Sequence, residues 1–172
     1  PTVFNAAARV GTEANYEKLY QIYLKPHSSD EKLAALRSLG RFTDAKLLER
    51  TLGYLFDGTV LSQDIYIPMG GMRATPEGIE ALWAWTQKNW DELVRRLPPG
   101  LSMLGTIVMV ATSGFSSFQK IEEIKAFYAN KSTKGFDQGL AQSLDSITTK
   151  AQWVERDAAK VQAYLKEHGY SK

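Results

Sequence analysis

Apolar residues recur at steps of three and four along almost the whole chain of 172 residues, which is the period of helices that bury one face. The most regular stretch forms an apolar seam near the end of the chain: Leu140, Leu144, Ile147, Ala151, Val154, Ala158, Val161 and Leu165. Its steps alternate between four and three, as in a helix that lies along a neighbour, and a break near Thr148–Thr149 is compatible with it. The pattern predicts an all-α fold.

Capping and stop signals place the helix boundaries. We predict helices over Thr2–Val10, from the Thr12 cap to Pro26, from the Ser28–Glu31 capping box to Gly40, from the Thr43 cap to Asp57–Gly58, from Thr75–Pro76 to Leu97, from Ser102 to Gly114 and from Ser116 to Asn130, followed by the seam. A strand-like run around Ile65 would have no partner strand, so we predict a short helix or turn within residues 62–72 instead.

Helix pairs that begin near Thr12, Thr43, Thr75 and Ser116 recur at intervals of roughly 30 to 40 residues, the range of helical repeat proteins. They share no repeat consensus. We therefore predict one helical-repeat domain over residues 1–172, built as an irregular right-handed superhelix of antiparallel helix pairs, similar to HEAT and armadillo arrays.

Three tryptophans lie in the segment ALWAWTQKNW, which raises the question of a ligand-binding face. On a helical wheel Trp83 and Trp90 share the apolar stripe, so we interpret them as core residues. Trp85 points roughly the opposite way. If it is exposed, a contact with further helices or with a partner is the natural inference.

The residues needed for most catalytic sites are missing. The chain has no cysteine, which removes thiolate zinc sites and cysteine nucleophiles and favours a reducing, cytoplasmic location. The two histidines, His27 and His168, lie far apart in the sequence and form no HExxH pair, so we interpret them as loop and helix-end residues. Neither a phosphate-binding glycine loop nor GxSxG occurs. We predict no catalytic and no metal-binding residue in this chain.

Charge and hydropathy exclude two classes of partner. The formal net charge is only +2, without the basic stripe of a nucleic-acid-binding protein. No apolar run approaches the ~20 residues of a membrane span. The chain begins at Pro1 rather than methionine, from which we expect a segment of a longer protein.

Several segments, in order, resemble the C-terminal helical domain of zinc aminopeptidases of the puromycin-sensitive type, and most closely the fungal cytosolic members. They are LRSLGRFTDAKLLERTLGYL, QDIYIPMGGMRATPEGIEALWAWTQKNWDELVRRL, FSSFQKIEEIKAFYANK and ITTKAQWVERDAAKVQAYL. The similarity extends over about four fifths of the chain, and none of these segments carries catalytic residues.

The resemblance implies a non-catalytic C-terminal domain that closes over the active-site domain and shapes the peptide chamber. In that family another part of the polypeptide holds zinc through HExxH and a distant glutamate. The resemblance therefore implies no cofactor in this chain. It implies two partners, namely the catalytic domain of the same polypeptide and peptide substrates. It also implies that the chain can self-associate through an apolar face that upstream helices would otherwise cover.

One candidate site residue follows from the resemblance. In related peptide-trimming members a basic residue after a helix stop faces the chamber and holds the C-terminal carboxylate of the substrate, and SLGRF places Arg41 there. A guanidinium matches the two oxygens of a carboxylate. The alternative is that Arg41 caps the carbonyls at the end of its helix. Arg73, in the glycine-rich connection, is a second and weaker candidate.

A different function stays open on the sequence alone, namely a free-standing helical-repeat adaptor that binds proteins on a concave surface. Such an array needs a polar first helix. The first helix, PTVFNAAARV, is instead mostly apolar, which favours an interior position within a longer array.

Overall fold

The computed structural model describes residues 2–25, 28–97 and 102–170, and within these ranges it contains ten α-helices and no strand. The helices are α1 (Thr2–Val10), α2 (Glu13–Leu24), α3 (Ser29–Leu39), α4 (Ala45–Gly53), α5 (Tyr66–Met72), α6 (Pro76–Lys88), α7 (Trp90–Arg96), α8 (Ser102–Thr112), α9 (Phe118–Tyr128) and α10 (Asp137–Glu167). The predicted all-α class is thus confirmed. None of the described helices is both long enough and apolar enough to cross a membrane.

Three predicted N-caps are confirmed by hydrogen bonds. The hydroxyl oxygens of Thr12, Ser28 and Thr75 each accept from the backbone N–H three residues later. Two other caps lie one residue beyond the predicted position. Asp44 rather than Thr43 caps α4, because its carboxylate accepts from two backbone N–H groups, and Ser117 rather than Ser116 caps α9.

Two helix ends differ from the prediction. The fourth helix ends at Gly53 instead of Asp57–Gly58, and the chain then turns so that the Val60 N–H donates to the Tyr54 carbonyl. The helix expected to run to Leu97 is interrupted at Asn89, whose side-chain amide donates to the Trp85 carbonyl and separates α6 from α7.

The helices form two rows. In the first row α2 is joined to α4 by a 2.7 Å hydrogen bond between the Tyr16 and Thr51 hydroxyls, α4 packs on α6, and α6 is joined to α9 through Trp83 and Glu123. In the second row α3, α5, α8 and α10 pack on one another in that order. Helix α1 packs against α2 and α3, at the end of the array farthest from α9 and α10.

Helix α10 is continuous over 31 residues, so the break considered near Thr148–Thr149 is absent. Both threonine hydroxyls donate to carbonyls four residues earlier and so stay within the helix. The first half of α10 runs along α8, with Ile147 and Ala151 buried. From residue 152 to residue 170, where the described part of the chain ends, every residue is exposed or only partly buried.

An aromatic cluster fills the core between α6, α7, α9 and the start of α10. It consists of Trp83, Trp90, Phe127, Tyr128 and Phe136, whose rings meet mostly edge to face. Trp83 and Trp90 are 1% and 6% exposed, which confirms their interpretation as core residues.

Candidate functional site

Arg41 lies in the short connection between α3 and α4, directly after Gly40. Its backbone N–H donates to the Ser38 carbonyl, and the next residue, Phe42, is fully buried and anchors the connection. The Arg41 side chain is partly buried, and its Nε has neither solvent contact nor a hydrogen-bond acceptor among the described residues. Arg41 Nε therefore makes no hydrogen bond to a carbonyl at the end of α3, as the capping alternative would allow it to do.

The position of this connection is fixed by direct backbone contact between α3 and α5. A Cβ atom at Gly40 would collide with the Pro68 carbonyl oxygen, and one at Gly71 would collide with the Arg37 carbonyl oxygen. Only glycine permits so close an approach. Because the Met72 N–H also lies beside Gly40, the connections that carry Arg41 and Arg73 are neighbours.

Arg73 is exposed at the end of α5, near another cation, Lys150 of α10. Lys150 of α10 donates from Nζ to the Ser113 carbonyl at 2.7 Å. Burial lowers the pKa of Lys150 below its usual value, and the charge of Arg73 lowers it further. The edge formed by these connections is thus basic.

The sequence analysis did not find a tyrosine cluster on the first row. The Arg50 guanidinium lies over the rings of Tyr16, Tyr20 and Tyr54 at 5.0 to 5.8 Å, and it donates to the Glu17 carboxylate at 3.0 Å. Hydrogen bonds from Gln21 and Arg50 lower the pKa of Glu17. Through Arg50, this cluster joins α2 to α4.

Trp85 is half-buried, with its ring 4.9 Å from that of Phe56. It lines an open groove of about 360 Å³ between α4 and α6. The groove wall is mainly aliphatic, with Glu49, Glu77 and Lys88 at its rim. The indole that the sequence left in question is therefore one wall of a shallow surface groove.

Of the two histidines, only His168 lies within the described residues. At the end of α10, the His168 ring stacks on the Tyr164 ring with 4.0 Å between the ring centroids, and His168 Nδ1 lies 2.9 Å from the Tyr164 carbonyl oxygen. His27 lies outside the described residues. Across the described ranges, no three histidine or acidic side chains converge where they could hold a metal ion.

Residues 1–149 match the family model described as the ERAP1-like C-terminal domain. The chain belongs to this family. Membership confirms the resemblance to the C-terminal helical domain of an aminopeptidase.

Individual relatives agree with the family assignment. The chain is 74% identical over 170 residues to Aminopeptidase 2, mitochondrial, of Saccharomyces cerevisiae. This alignment covers 99% of this chain and 18% of that protein. It is 58% identical to the alanine/arginine aminopeptidase of the same yeast, over 98% of this chain and 20% of that protein. It is 25% identical to mouse endoplasmic reticulum aminopeptidase 1, over 88% of this chain and 17% of that protein. The chain thus spans about a fifth of the length of these relatives.

Proposed function

We propose that this chain is the non-catalytic C-terminal domain of a zinc aminopeptidase, which removes N-terminal residues from peptides. The observation that carries the proposal is the match to a C-terminal domain family together with coverage of about a fifth of each aminopeptidase relative. Zinc and the catalytic groups would belong to another part of the same polypeptide. A cytoplasmic location is part of the proposal, supported by the absence of cysteine.

The role proposed for the domain is to close over the catalytic domain and shape the peptide chamber. The two rows of helices are compatible with an irregular right-handed superhelix of antiparallel pairs, extended by helices upstream of α1. Val3 and Val10 of α1 are 76% and 68% exposed, which supports a packing surface for such helices. A free-standing adaptor is the less supported alternative, because its terminal helix would need a polar face.

Activity measurements on separate parts test this proposal. The chain alone is expected to cleave no aminoacyl-p-nitroanilide and to bind no stoichiometric zinc. The upstream part of the polypeptide, expressed separately, should hydrolyse longer peptides only when this chain is added. Metal-dependent cleavage by a pure sample of this chain would contradict the proposal.

Within the chamber, we propose that Arg41 binds the C-terminal carboxylate of the peptide. Support comes from its buried Nε without an acceptor and from the neighbouring Arg73, since both features favour an anion. In the full-length enzyme, Arg41→Ala should raise KM for peptides with a free C-terminus by about tenfold, the loss of roughly one charged hydrogen bond.

Two controls separate this role from a structural one. C-terminally amidated peptides should show the same KM with the variant as with the parent enzyme. Arg37→Ala, which removes an exposed arginine one turn earlier in α3, should leave both substrates unaffected. An equal loss for free and amidated peptides would argue against carboxylate binding.

A further inference from the structure

The distal segment of α10, residues 152–167, continues the apolar seam, but none of its residues is buried among the parts of the chain that the structure describes. Ile147 and Ala151 are buried against the body, whereas the next seam residues, Val154 and Val161, are 38% and 44% exposed. Ala158 and Leu165, the other two seam residues of the segment, are partly buried. The alternation of four and three residues does not change at the point where the helix leaves the body. A heptad seam of this kind is the surface onto which a second helix packs.

The distal segment also lies beyond the residues that match the family model. That match ends at residue 149, while the alignment with Aminopeptidase 2, mitochondrial, of Saccharomyces cerevisiae covers 170 of the 172 residues. The segment is therefore shared with that yeast relative.

Its place in the array argues against cover from the helices nearest upstream. Upstream helices would continue from α1, which packs on α2 and α3 at the first end of the array. Helix α10 belongs to the last pair. It runs parallel to α8, because the start of α10 lies beside Gly105 in α8, and Lys150 of α10 lies beside Ser113 at the end of α8. The distal segment therefore projects beyond the end of α8.

We propose that the distal segment pairs with the same segment of a second copy of this chain, in antiparallel orientation. A two-fold axis would then relate two identical seams. This inference does not depend on the proposed function.

Side-chain volumes favour the antiparallel orientation. Val154 would face Leu165 of the partner subunit, and Ala158 would face Val161 of the partner subunit, so that each layer joins a larger residue to a smaller one. A parallel pair would place Ala158 against its own copy and leave a gap. It would also force the two bodies together at Ala151, whereas antiparallel helices keep them at opposite ends.

Charge is compatible with this arrangement and does not oppose it. Residues 152–167 carry three acidic and three basic side chains: Glu155, Asp157 and Glu167, and Arg156, Lys160 and Lys166. In the antiparallel pair, Glu155 would lie opposite Gln162 of the partner subunit, and Asp157 would lie opposite Tyr164 of the partner subunit. No like charges would therefore meet beside the seam. Two heptads bury less than the ~800 Å² per partner of a standard interface, and we therefore expect a weak dimer.

Sedimentation velocity tests the association over a range of about 5 to 500 μM. The expected result is a monomer at the low end and a growing dimer fraction at the high end. Val161→Glu, in the seam, should weaken association by at least about tenfold, because it buries a charge. Ala163→Glu, on the opposite face of the same helix, is the matched control and should change association less than about twofold. A monomer at all concentrations, or equal effects of the two variants, overturns the proposal.

Engineered disulfides test the orientation, because the natural chain has no cysteine. In the antiparallel pair two copies of residue 154 lie about 16 Å apart, too far for a disulfide, whereas residue 154 of one copy faces residue 165 of the other. A mixture of Val154→Cys and Leu165→Cys chains should therefore cross-link, and Val154→Cys alone should not. Cross-linking of Val154→Cys alone would show a parallel pair and overturn the proposal.

The same mixture in the longer polypeptide distinguishes a second copy from an internal partner. Cross-linking between two full-length chains supports the proposal. The contrary result would be a monomeric full-length chain without cross-links, in which the cysteine of Val161→Cys is also protected from maleimide. That result would mean that another segment of the same polypeptide covers the seam, and it would overturn the proposal.

Discussion

At the residue scale, the contact between α3 and α5 depends on two glycines, which have only a hydrogen atom where other residues have a Cβ atom. Gly40 and Gly71 each face a carbonyl of the opposite helix with no room for a methyl group. The sequence marks these glycines only as a helix stop and as part of an unusual GG pair. Which backbone approaches them is a property of the packed array, so this contact could not be predicted from the sequence.

Alanine substitutions test the contact. Gly71→Ala should reduce the free energy of unfolding by about 2 to 3 kcal/mol, because the new methyl group forces α5 away from the Arg37 carbonyl. Gly70→Ala is the matched control, since nothing lies within 4 Å of its Cβ position and alanine is the better helix former. Urea denaturation of both variants measures the difference. Equal stabilities of the two variants would argue against the contact.

Glu123 accepts a 2.6 Å hydrogen bond from the Trp83 indole and pairs with Lys120 at 3.1 Å. Burial alone would raise the pKa of Glu123, but the hydrogen bond and the Lys120 ammonium outweigh it, so the pKa lies below its usual 4.5. A carboxylate with a lowered folded-state pKa stabilises the fold above its unfolded pKa. That stabilisation is lost as the pH falls from about 4.5 through the folded-state value.

Glu123→Gln should therefore cost about 1 kcal/mol at pH 7, a modest figure because the carboxylate is partly solvent-screened. The amide oxygen of glutamine still accepts from Trp83, so the variant removes the charge alone. The difference from the parent chain should shrink toward zero below pH 4.5, as measured by denaturation at pH 7, 4.5 and 3. Glu122→Gln, in an exposed pair with Lys125, should show little change at any pH. A constant deficit across this range would contradict the lowered pKa.

At the element scale, most helices could be predicted because caps and periodicity are local properties. Thr12, Ser28 and Thr75 begin helices as expected, since a hydroxyl and the N–H three residues later suffice. The interruption at Asn89 is set by its own hydrogen bond to the Trp85 carbonyl, and the apolar stripe continues through it unchanged. The same limit applies to ion pairs. Arg95 pairs with Glu92 at i,i+3, although Asp91 also lies at a pairing distance, four residues before it.

The projecting half of α10 should be dispensable for stability. A chain that ends after Arg156 lacks only exposed or partly buried residues, so its Tm should stay within about 2 °C of the parent. Ile147→Ala, in the buried half of the same helix, should instead cost about 2 to 4 kcal/mol. Thermal unfolding followed by circular dichroism measures both. A large loss of stability on truncation would mean that the distal segment contributes to the fold.

At the scale of the whole molecule, the all-α class and the family could be predicted from the sequence, because periodicity and ordered motifs extend over most of the chain. The order of helices within the two rows could not, since it depends on contacts such as Tyr16 with Thr51, 35 positions apart. For Arg41, the sequence predicts a place after a helix stop. Its buried Nε and its proximity to the Arg73 connection emerge only when α3 and α5 meet.

The bare face of α1 gives a prediction for the isolated chain. Val3→Lys with Val10→Lys should leave the free energy of unfolding within about 0.5 kcal/mol, because both side chains are already largely in water. The same changes should raise the concentration at which the chain aggregates, as followed by light scattering, since they remove an exposed apolar patch. A marked loss of stability would show that α1 already buries these residues within this chain.

The tryptophans are distributed unevenly between the body and the projecting helix. Trp83 and Trp90 are enclosed in the aromatic cluster and Trp85 is half-buried, whereas Trp153 is 54% exposed on the distal part of α10. We therefore expect intrinsic fluorescence with a blue-shifted component from the body and a red-shifted, quencher-accessible component from the helix. Acrylamide would quench the second component first, so that one natural fluorophore reports on the distal segment without any label.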